Sequence, residues 1–445
     1  MAVTVTHERD GTQPLVQAQV EALRDDGLGV ARVGGKVVFI DNALPGETVR
    51  YRPRGRRRRY DTGFTVEWVT QSPERVAPRC EYFGVCGGCA MQHVAARTQI
   101  EYKQKRLLDS LHRIGGVAAD QVLPPLVGPV WGYRRKARLG IRYVPKKGGV
   151  LLGFREKRKS YITSLDHCDV LHPTIAQLLV PLRRLIGALS CYDRLPQVEI
   201  AVGEDDRALV FRHLVPFTDA DTAKLKAFAR EHGVQVYLQP GNLETVRPLW
   251  PADPAPLTYS LDGFAITNRF APTDFIQVNT DLNRELVRAA VGWLSPGPDE
   301  RVLDLYCGIG NFTLPLARRA GHVTGMEGAA ALVGRASENA CDNGVANVSF
   351  GVADLADPDL TGNWLDVRYA KILLDPPRSG AIEIVKRIPA LGPERIVYVS
   401  CNPETLARDT GWLVRKAGFR LRAVGIIDMF PHTAHVESMA VFEPR

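Results

Sequence analysis

The chain has 445 residues, a formal net charge of +8, and 45% hydrophobic and 24% charged residues. Length points to about three domains at roughly 150 residues each, and the composition excludes wholesale disorder. No apolar run approaches the ~18 residues that would cross a bilayer, so a membrane-spanning helix is not expected.

Residues 1–13 are expected to be a flexible N-terminus. Their sequence, MAVTVTHERDGTQ, lacks the basic-then-apolar order of a secretory signal, which predicts a cytoplasmic protein. The eight cysteines are then read as reactive, metal-binding or packed thiols rather than disulfides. Residues 14–72 alternate apolar and polar residues between Gly and Asn-Ala-Leu-Pro-Gly punctuation, the signature of a small β-barrel. The run GLGVARVGGKVVFIDNALPGETVRYR resembles the TRAM domain, an OB-like RNA-binding barrel found on RNA-modifying enzymes. YRPRGRRRRY, with six arginines between Tyr51 and Tyr60, and WGYRRKARLGIRY, with five cations between Trp131 and Tyr143, interleave positive charge with aromatic rings. A solvated face is the plain reading of a charge run. Arginines beside stackable rings fit a polyanion that carries bases, and RNA meets that description.

Residues 73–263 read as a central α+β domain, with a helix over about 95–114 that could pack on the catalytic domain. It opens with C-x5-C-x2-C at Cys80, Cys86 and Cys89, with Gly87 and Gly88 between the last two. That spacing is too compact for three independent core residues, and the glycines let the loop wrap something small. Cys168, in SLDHCDVLHP, is the expected fourth ligand, with Cys191 in reserve. Zinc and an iron–sulfur cluster both remain open on spacing alone.

From residue 264 to 445 strands and amphipathic helices alternate, which predicts a doubly wound, mostly parallel, Rossmann-like sheet. VLDLYCGIGNFTL puts Gly308 and Gly310 between a buried strand and a helix, and Glu327 ends the next strand nineteen residues after Gly308. Glycines let the backbone approach a ligand, and a carboxylate at that distance can bind ribose hydroxyls. The third glycine of a dinucleotide loop is replaced by Thr313. Together with the later DPP unit, D-x-x-x-G-x-G-N favours S-adenosylmethionine and a class I methyltransferase sheet. In LLDPPRSG, Asp375 falls at the carboxyl edge of the sheet. Arg378 follows the prolines where amino-group methyltransferases usually carry an aromatic residue, which disfavours that class.

VYVSCNPETLARD places Cys401 on a turn at the end of a strand, where a thiol is accessible to chemistry. The C5 of uracil is a poor nucleophile until a thiolate adds to C6 and turns the ring into an enolate. A base must then remove the C5 proton. Glu437, in FPHTAHVESM, is expected in an apolar strand where burial raises its pKa into a useful range. Its plain reading is an edge-strand carboxylate; His432 and His435 are alternative bases, or packing and capping residues.

SCNPET, DPPRSG, DLYCGIGNF and HVESM, in this chain's own arrangement, resemble the RNA uracil-C5 methyltransferase family. The resemblance implies Cys401 as nucleophile and Glu437 as proton-abstracting base. It implies S-adenosyl-L-methionine contacts at Gln277, Tyr306, Asn311, Glu327, Asp354 and Asp375, and leaves Cys307 and Cys341 as packed thiols. The branch that joins a TRAM barrel to a [4Fe–4S] cluster implies that Cys80, Cys86, Cys89 and Cys168 hold such a cluster. That branch also implies a monomer, free of membranes, that methylates a uridine of 23S ribosomal RNA. The same chemistry on tRNA or on another rRNA uridine is the nearer alternative, and a non-catalytic RNA-binding assembly protein the remote one.

Overall fold

The computed structural model describes residues 14–24 and 26–445; the N-terminal segment expected to be flexible lies outside the described residues. Strands β1 (Val16–Leu23), β2 (Gly29–Val33), β3 (Lys36–Asp41), β4 (Thr48–Arg56) and β5 (Tyr60–Thr70) close into a barrel in the order β1-β2-β3-β5-β4. Their alternation sends Ala18, Val20, Ala31, Val38, Ile40, Val49 and Tyr51 inward. At Gly63 a Cβ would overlap the Tyr51 ring, so the barrel's tightest crossing requires glycine.

A buried carboxylate helps to fasten the barrel to the body. Glu47 accepts from Arg75 Nε at 2.5 Å and Arg75 Nη2 at 2.8 Å, and from the Leu44 and Ser72 amides at 2.8 and 3.2 Å. Charge and hydrogen-bond capacity are both satisfied, which a buried ion pair must achieve to offset its desolvation.

The cysteine loop, residues 80–91, leads into helix α1 (Ala96–Ser110), which continues through a π-helical turn at Leu111–Gly115. Leu107, Leu111 and Val117 share a hydrophobic core with residues of the C-terminal sheet, and β6 (Gln121–Val122) extends that sheet at its edge. A second sheet follows, built from β7 (Lys136–Val144), β8 (Gly149–Gly153), β9 (Gln197–Val202), β10 (Arg207–Arg212), β11 (Gln235–Gln239) and β12 (Arg247–Trp250). Its order is β12-β11-β10-β9-β7-β8. Helices α2 (Pro173–Ala176) and α3 (Leu179–Gly187) lie between β8 and β9, and α4 (Asp219–His232) makes the crossover between the parallel β10 and β11. Thr218 and Asp221 form a reciprocal cap at the start of α4, and Gly233 ends it in the left-handed conformation. A hairpin, β13 (Leu257–Leu261) and β14 (Ile266–Phe270), then packs into the core of the C-terminal layer.

That layer comprises α5 (Thr280–Leu294), β15 (Arg301–Leu305), α6 (Thr313–Ala317), β16 (His322–Glu327), α7 (Ala330–Asp342), β17 (Val348–Val352) and β18 (Lys371–Leu374). It ends with α8 (Ile382–Leu391), β19 (Arg395–Ser400), α9 (Pro403–Lys416), β20 (Phe419–Ile427) and β21 (Glu437–Pro444). The sheet runs β17-β16-β15-β18-β19-β21-β20-β6, with β21 antiparallel to both its neighbours. Strand order reverses between β15 and β18, which opens a ligand crevice beyond their carboxyl ends. Ile396 to Val399 of β19 are wholly buried, as expected of a strand covered on both faces. Cys341, expected to be packed, is exposed on α7; a helix over the sheet buries one stripe only. Among the described residues, no helix is long and apolar enough to cross a membrane.

Glu47→Ala would leave Arg75 with its Asn42 acceptors but without its counter-charge, and two amides without their acceptor. The expected loss is about 3–5 kcal/mol, read as a lower urea midpoint at unchanged slope. A loss below about 1 kcal/mol would place this pair among ordinary surface bridges.

Candidate active site

The crevice at the strand reversal is a cavity of about 640 Å³, and Gln277, Tyr306, Asn311, Glu327, Asp354, Asp375, Cys401 and Glu437 all line it. One end is built by the turn after β15. Tyr306, Gly308 and Gly310 all take positive φ (64°, 56° and 94°), turning the backbone away from the strand before α6. The Glu327 carboxylate closes this turn by accepting from the Gly308 amide at 3.2 Å and the Ala329 amide at 3.1 Å. Asp354 accepts from the Ala356 amide at 3.0 Å.

Asn311 is oriented by two residues that motif spacing did not identify. Its Oδ1 accepts from Tyr259 Oη at 3.0 Å and Asn283 Nδ2 at 2.9 Å, and its Nδ2 donates to Asn283 Oδ1 at 3.1 Å. Tyr259 comes from β13 and Asn283 from α5, far from the glycine turn in sequence, so no local pattern links them. Beneath the turn, Asp304 is buried and accepts from the Thr313 hydroxyl at 2.5 Å. Burial pushes its pKa up to about 7.

The other end of the cavity carries the thiol and the carboxyl. Ser400 of β19 pairs with Ser438 of β21 in antiparallel register, so the next step along each strand brings residue 401 opposite residue 437. Glu437 is buried. Its pKa is raised well above the ordinary value by burial and then by the neighbouring Asp375, and Arg378 opposes both. The half-buried Cys401 has its thiol pushed up to about 11 by burial, then by Glu437 and Asp375, again with Arg378 opposing. Burial alone raises Asp375 to about 7.

The turn around Cys401 is held by its neighbours. Ser400 Oγ donates to the Asn402 carbonyl at 3.1 Å, and Asn402 Oδ1 caps α9 by accepting from the Glu404 amide at 3.1 Å. Asn402 Nδ2 also donates to the Arg378 carbonyl at 3.0 Å, which ties the thiol turn to the DPPRSG loop. Arg378 Nη2 lies 2.8 Å from His435 Nδ1. Burial and then the nearby Arg378 lower His435 to about 4, so it is neutral at physiological pH. His435 lines the cavity; His432, the other alternative base, is not among its lining residues.

Cys80, Cys86, Cys89 and Cys168 are free thiols gathered from two loops, and each of the first three is raised in pKa partly by Cys168. Burial is the main cause, taking Cys86 to about 11 and Cys89 to about 12. Backbone amides are aimed at these sulfurs: Gly88 at Cys86 (3.4 Å), Tyr82 and Phe83 at Cys80, Val170 and Leu171 at Cys168. Among the described residues, no three His, Cys, Asp or Glu side chains are gathered closely enough to hold a metal ion. The reserve residue, Cys191, is buried beside Asp221 and is not among the groups acting on these four.

Fold and cavity define the class: a Rossmann-like S-adenosylmethionine-dependent methyltransferase with an N-terminal TRAM barrel. A family model described as tRNA (Uracil-5-)-methyltransferase matches residues 257–445, and a TRAM domain model matches residues 16–50. The 23S rRNA (uracil(1939)-C(5))-methyltransferase RlmD of Nitrosococcus oceani is 53% identical over 96% of this chain and 96% of its own length. Its namesake from Methylococcus capsulatus is 51% identical over 96% of this chain and 97% of its own. The crystal structure of Pyrococcus abyssi tRNA (uracil-54, C5)-methyltransferase with S-adenosyl-L-homocysteine superposes with a TM-score of 0.72. It is 25% identical, and the match covers 96% of this chain and 100% of that one. The chain belongs to the RlmD family of RNA uracil-C5 methyltransferases.

Because Glu437 helps hold the Cys401 thiol protonated, Glu437→Gln should move its titration below about 11. Iodoacetamide labelling of the Cys401 peptide, followed by mass spectrometry across pH, measures this. An unchanged midpoint would separate the two groups electrostatically.

Proposed function

We propose that this chain methylates C5 of a uridine in 23S ribosomal RNA, the substrate for which its close relatives are named. The observation that carries the reading is the placement of Cys401 and Glu437 opposite one another, in the same cavity as the glycine turn. Gln277, Tyr306, Asn311, Glu327, Asp354 and Asp375 hold S-adenosylmethionine along this cavity. The Cys401 thiolate adds to C6 of the uracil, and the resulting enolate uses C5 to take the methyl group, releasing S-adenosylhomocysteine. Glu437 then removes the C5 proton, the C6–S bond breaks, and 5-methyluridine leaves with the thiolate restored. The buried site disfavours the ionised form of Glu437, so its carboxylate is a stronger base than an exposed one would be.

A second cavity, of about 940 Å³, supports RNA as the substrate. It lies between the barrel, the cysteine loop and the β7–β8 hairpin, and its lining includes Arg134, Arg138, Arg142, Arg155, Lys157 and Arg158. It shares His435 with the catalytic cavity, so a strand held on these cations can deliver a base to Cys401. Turning the uridine out of its stack costs a few kcal/mol, offset by phosphate and stacking contacts.

Cys80, Cys86, Cys89 and Cys168 are assigned to a [4Fe–4S] cluster. Free thiols and amides aimed at sulfur suit thiolate ligands of such a cluster. A four-iron cluster is wider than a single ion, and so draws its ligands less closely together. When bound, it would supply a rigid cross-link between two loops; the methyl transfer consumes no electron.

Cys401→Ala should abolish turnover while leaving RNA affinity intact. Glu437→Gln should slow product release by roughly 10²–10⁴-fold, the usual contribution of a general base, with a covalent protein–RNA adduct accumulating on a denaturing gel. Normal release of methylated RNA by that variant would assign the base elsewhere. Protein purified without oxygen should be brown and carry about four irons per chain; a colourless zinc-loaded protein would remove the cluster assignment.

A further inference from the structure

The loop between β20 and β21, residues 428–436, ends at Glu437 and is gripped along its length by one face of α1. Gln99, Lys103 and Arg106 stand at i, i+4 and i+7, the spacing that aligns side chains on one helix face. Lys103 Nζ donates to Asp428 Oδ1 at 2.5 Å and to the Phe430 carbonyl at 2.9 Å, and Arg106 Nη1 donates to the Ala434 carbonyl at 3.2 Å.

The centre of this grip is the His432 peptide. Gln99 Oε1 accepts from the His432 amide at 2.9 Å, while its Nε2 donates to the Met91 and Val94 carbonyls at 3.0 and 2.9 Å. The His432 carbonyl in turn accepts from the Ala90 and Met91 amides at 2.8 and 2.9 Å. The His432 ring stacks on Trp131 with centroids 3.9 Å apart, and Arg79 lies over that same indole. His432 is held at φ 63°, a left-handed conformation that non-glycine residues rarely adopt, so the surroundings must enforce it. Ala90 directly follows Cys89, and Arg79 directly precedes Cys80. The segments that carry the cysteines are therefore the seat of the loop that carries the base.

We propose that Gln99 is a positioning residue for the catalytic base: through the His432 peptide it locks loop 428–436 to the cysteine loop and so sets where Glu437 stands against the substrate. The inference rests on the reading of Cys401 as nucleophile and Glu437 as base. Pairing of β21 with β20 reaches Glu437 itself, opposite Ile427, but the chain on its N-terminal side is held by the loop. Misplacing a reacting group by about 1 Å costs on the order of 10²-fold in rate, and proton abstraction requires hydrogen-bonding reach. Loss of this lock therefore acts on the final proton transfer, whereas S-adenosylmethionine and the thiol are held by other elements. A helix present only for stability would instead lower the folded fraction and every step together.

Two RNAs separate these outcomes in the full-length enzyme. RNA with 5-fluorouridine offers no C5 proton, so it titrates thiol addition and methyl transfer without the base. Gln99→Met, close in size, should match the parent's adduct stoichiometry on this RNA. On ordinary RNA its turnover per titrated site should fall about 10–100-fold, with adduct accumulating. Gln99→Glu keeps an acceptor for the His432 amide but sets a buried carboxylate oxygen against the Met91 and Val94 carbonyls, so it should stay slow as well. Unchanged turnover per titrated site in Gln99→Met, or a Gln99→Glu variant as fast as the parent, overturns the inference and leaves the functional reading intact. Failure of the parent enzyme to form an adduct through Cys401 removes the functional reading itself.

Discussion

An antiparallel strand threaded between β19 and β20 is the constraint on which the chemistry turns. In a purely parallel sheet every strand delivers its carboxyl end to the ligand rim, and the amino ends lie at the far edge. β21 runs the other way, so its first residue, Glu437, arrives at the rim beside the last residues of β19. Register is fixed by packing on both faces. Met439 and Val441 belong to one hydrophobic core, and Ala440 and Phe442 to the core on the opposite face. A slip by one residue would exchange these sets and turn Glu437 away from Cys401. Two large cores thus specify the placement of a single carboxyl.

The same logic explains why segments remote in sequence meet at this rim. Asn311 receives its orientation from β13 and α5, the thiol turn from the Asn402 cap, and the loop before Glu437 from α1. Apart from the exposed Asn402 cap, these supports are hydrogen bonds made in a buried or half-buried setting, where an unpaired group is expensive and geometry is correspondingly strict. The Glu47–Arg75 pair applies the same device at the barrel, so the arginine-rich strands have a fixed attachment to the body.

What was legible in the sequence was local. Periodicity gave the alternating strands and helices of the C-terminal half, and the motifs together with the family resemblance they carry named eight residues that line one cavity. Burial raises the Glu437 pKa as the apolar surroundings of VESM had suggested. What stayed hidden was contact between distant segments. Tyr259 and Asn283 have no recognisable spacing from Asn311, and Gln99 looks like any polar residue of an amphipathic helix. The boundary drawn at residue 264 falls in the turn of the β13–β14 hairpin, both of whose strands pack into the C-terminal core. An apolar pair of short strands reads alike at the end of one layer or the start of the next. Cys341 was misread for a related reason: helical periodicity locates a stripe, and a residue near its margin can fall on either side of the surface.

Electrostatics connects these placements to the choice of methyl donor. Cys401, Glu437 and Asp375 are acids crowded into one partly desolvated cavity, and each is held toward its protonated form. His435 is neutral and contributes no compensating charge, so Arg378 is the cation that opposes the rise at both Cys401 and Glu437. An anionic ligand would deepen that imbalance. A sulfonium relieves it, because a positive charge among these groups favours the ionised forms of the thiol and the carboxyl. Once the methyl group has moved, the thioether product is neutral at sulfur and loses that attraction.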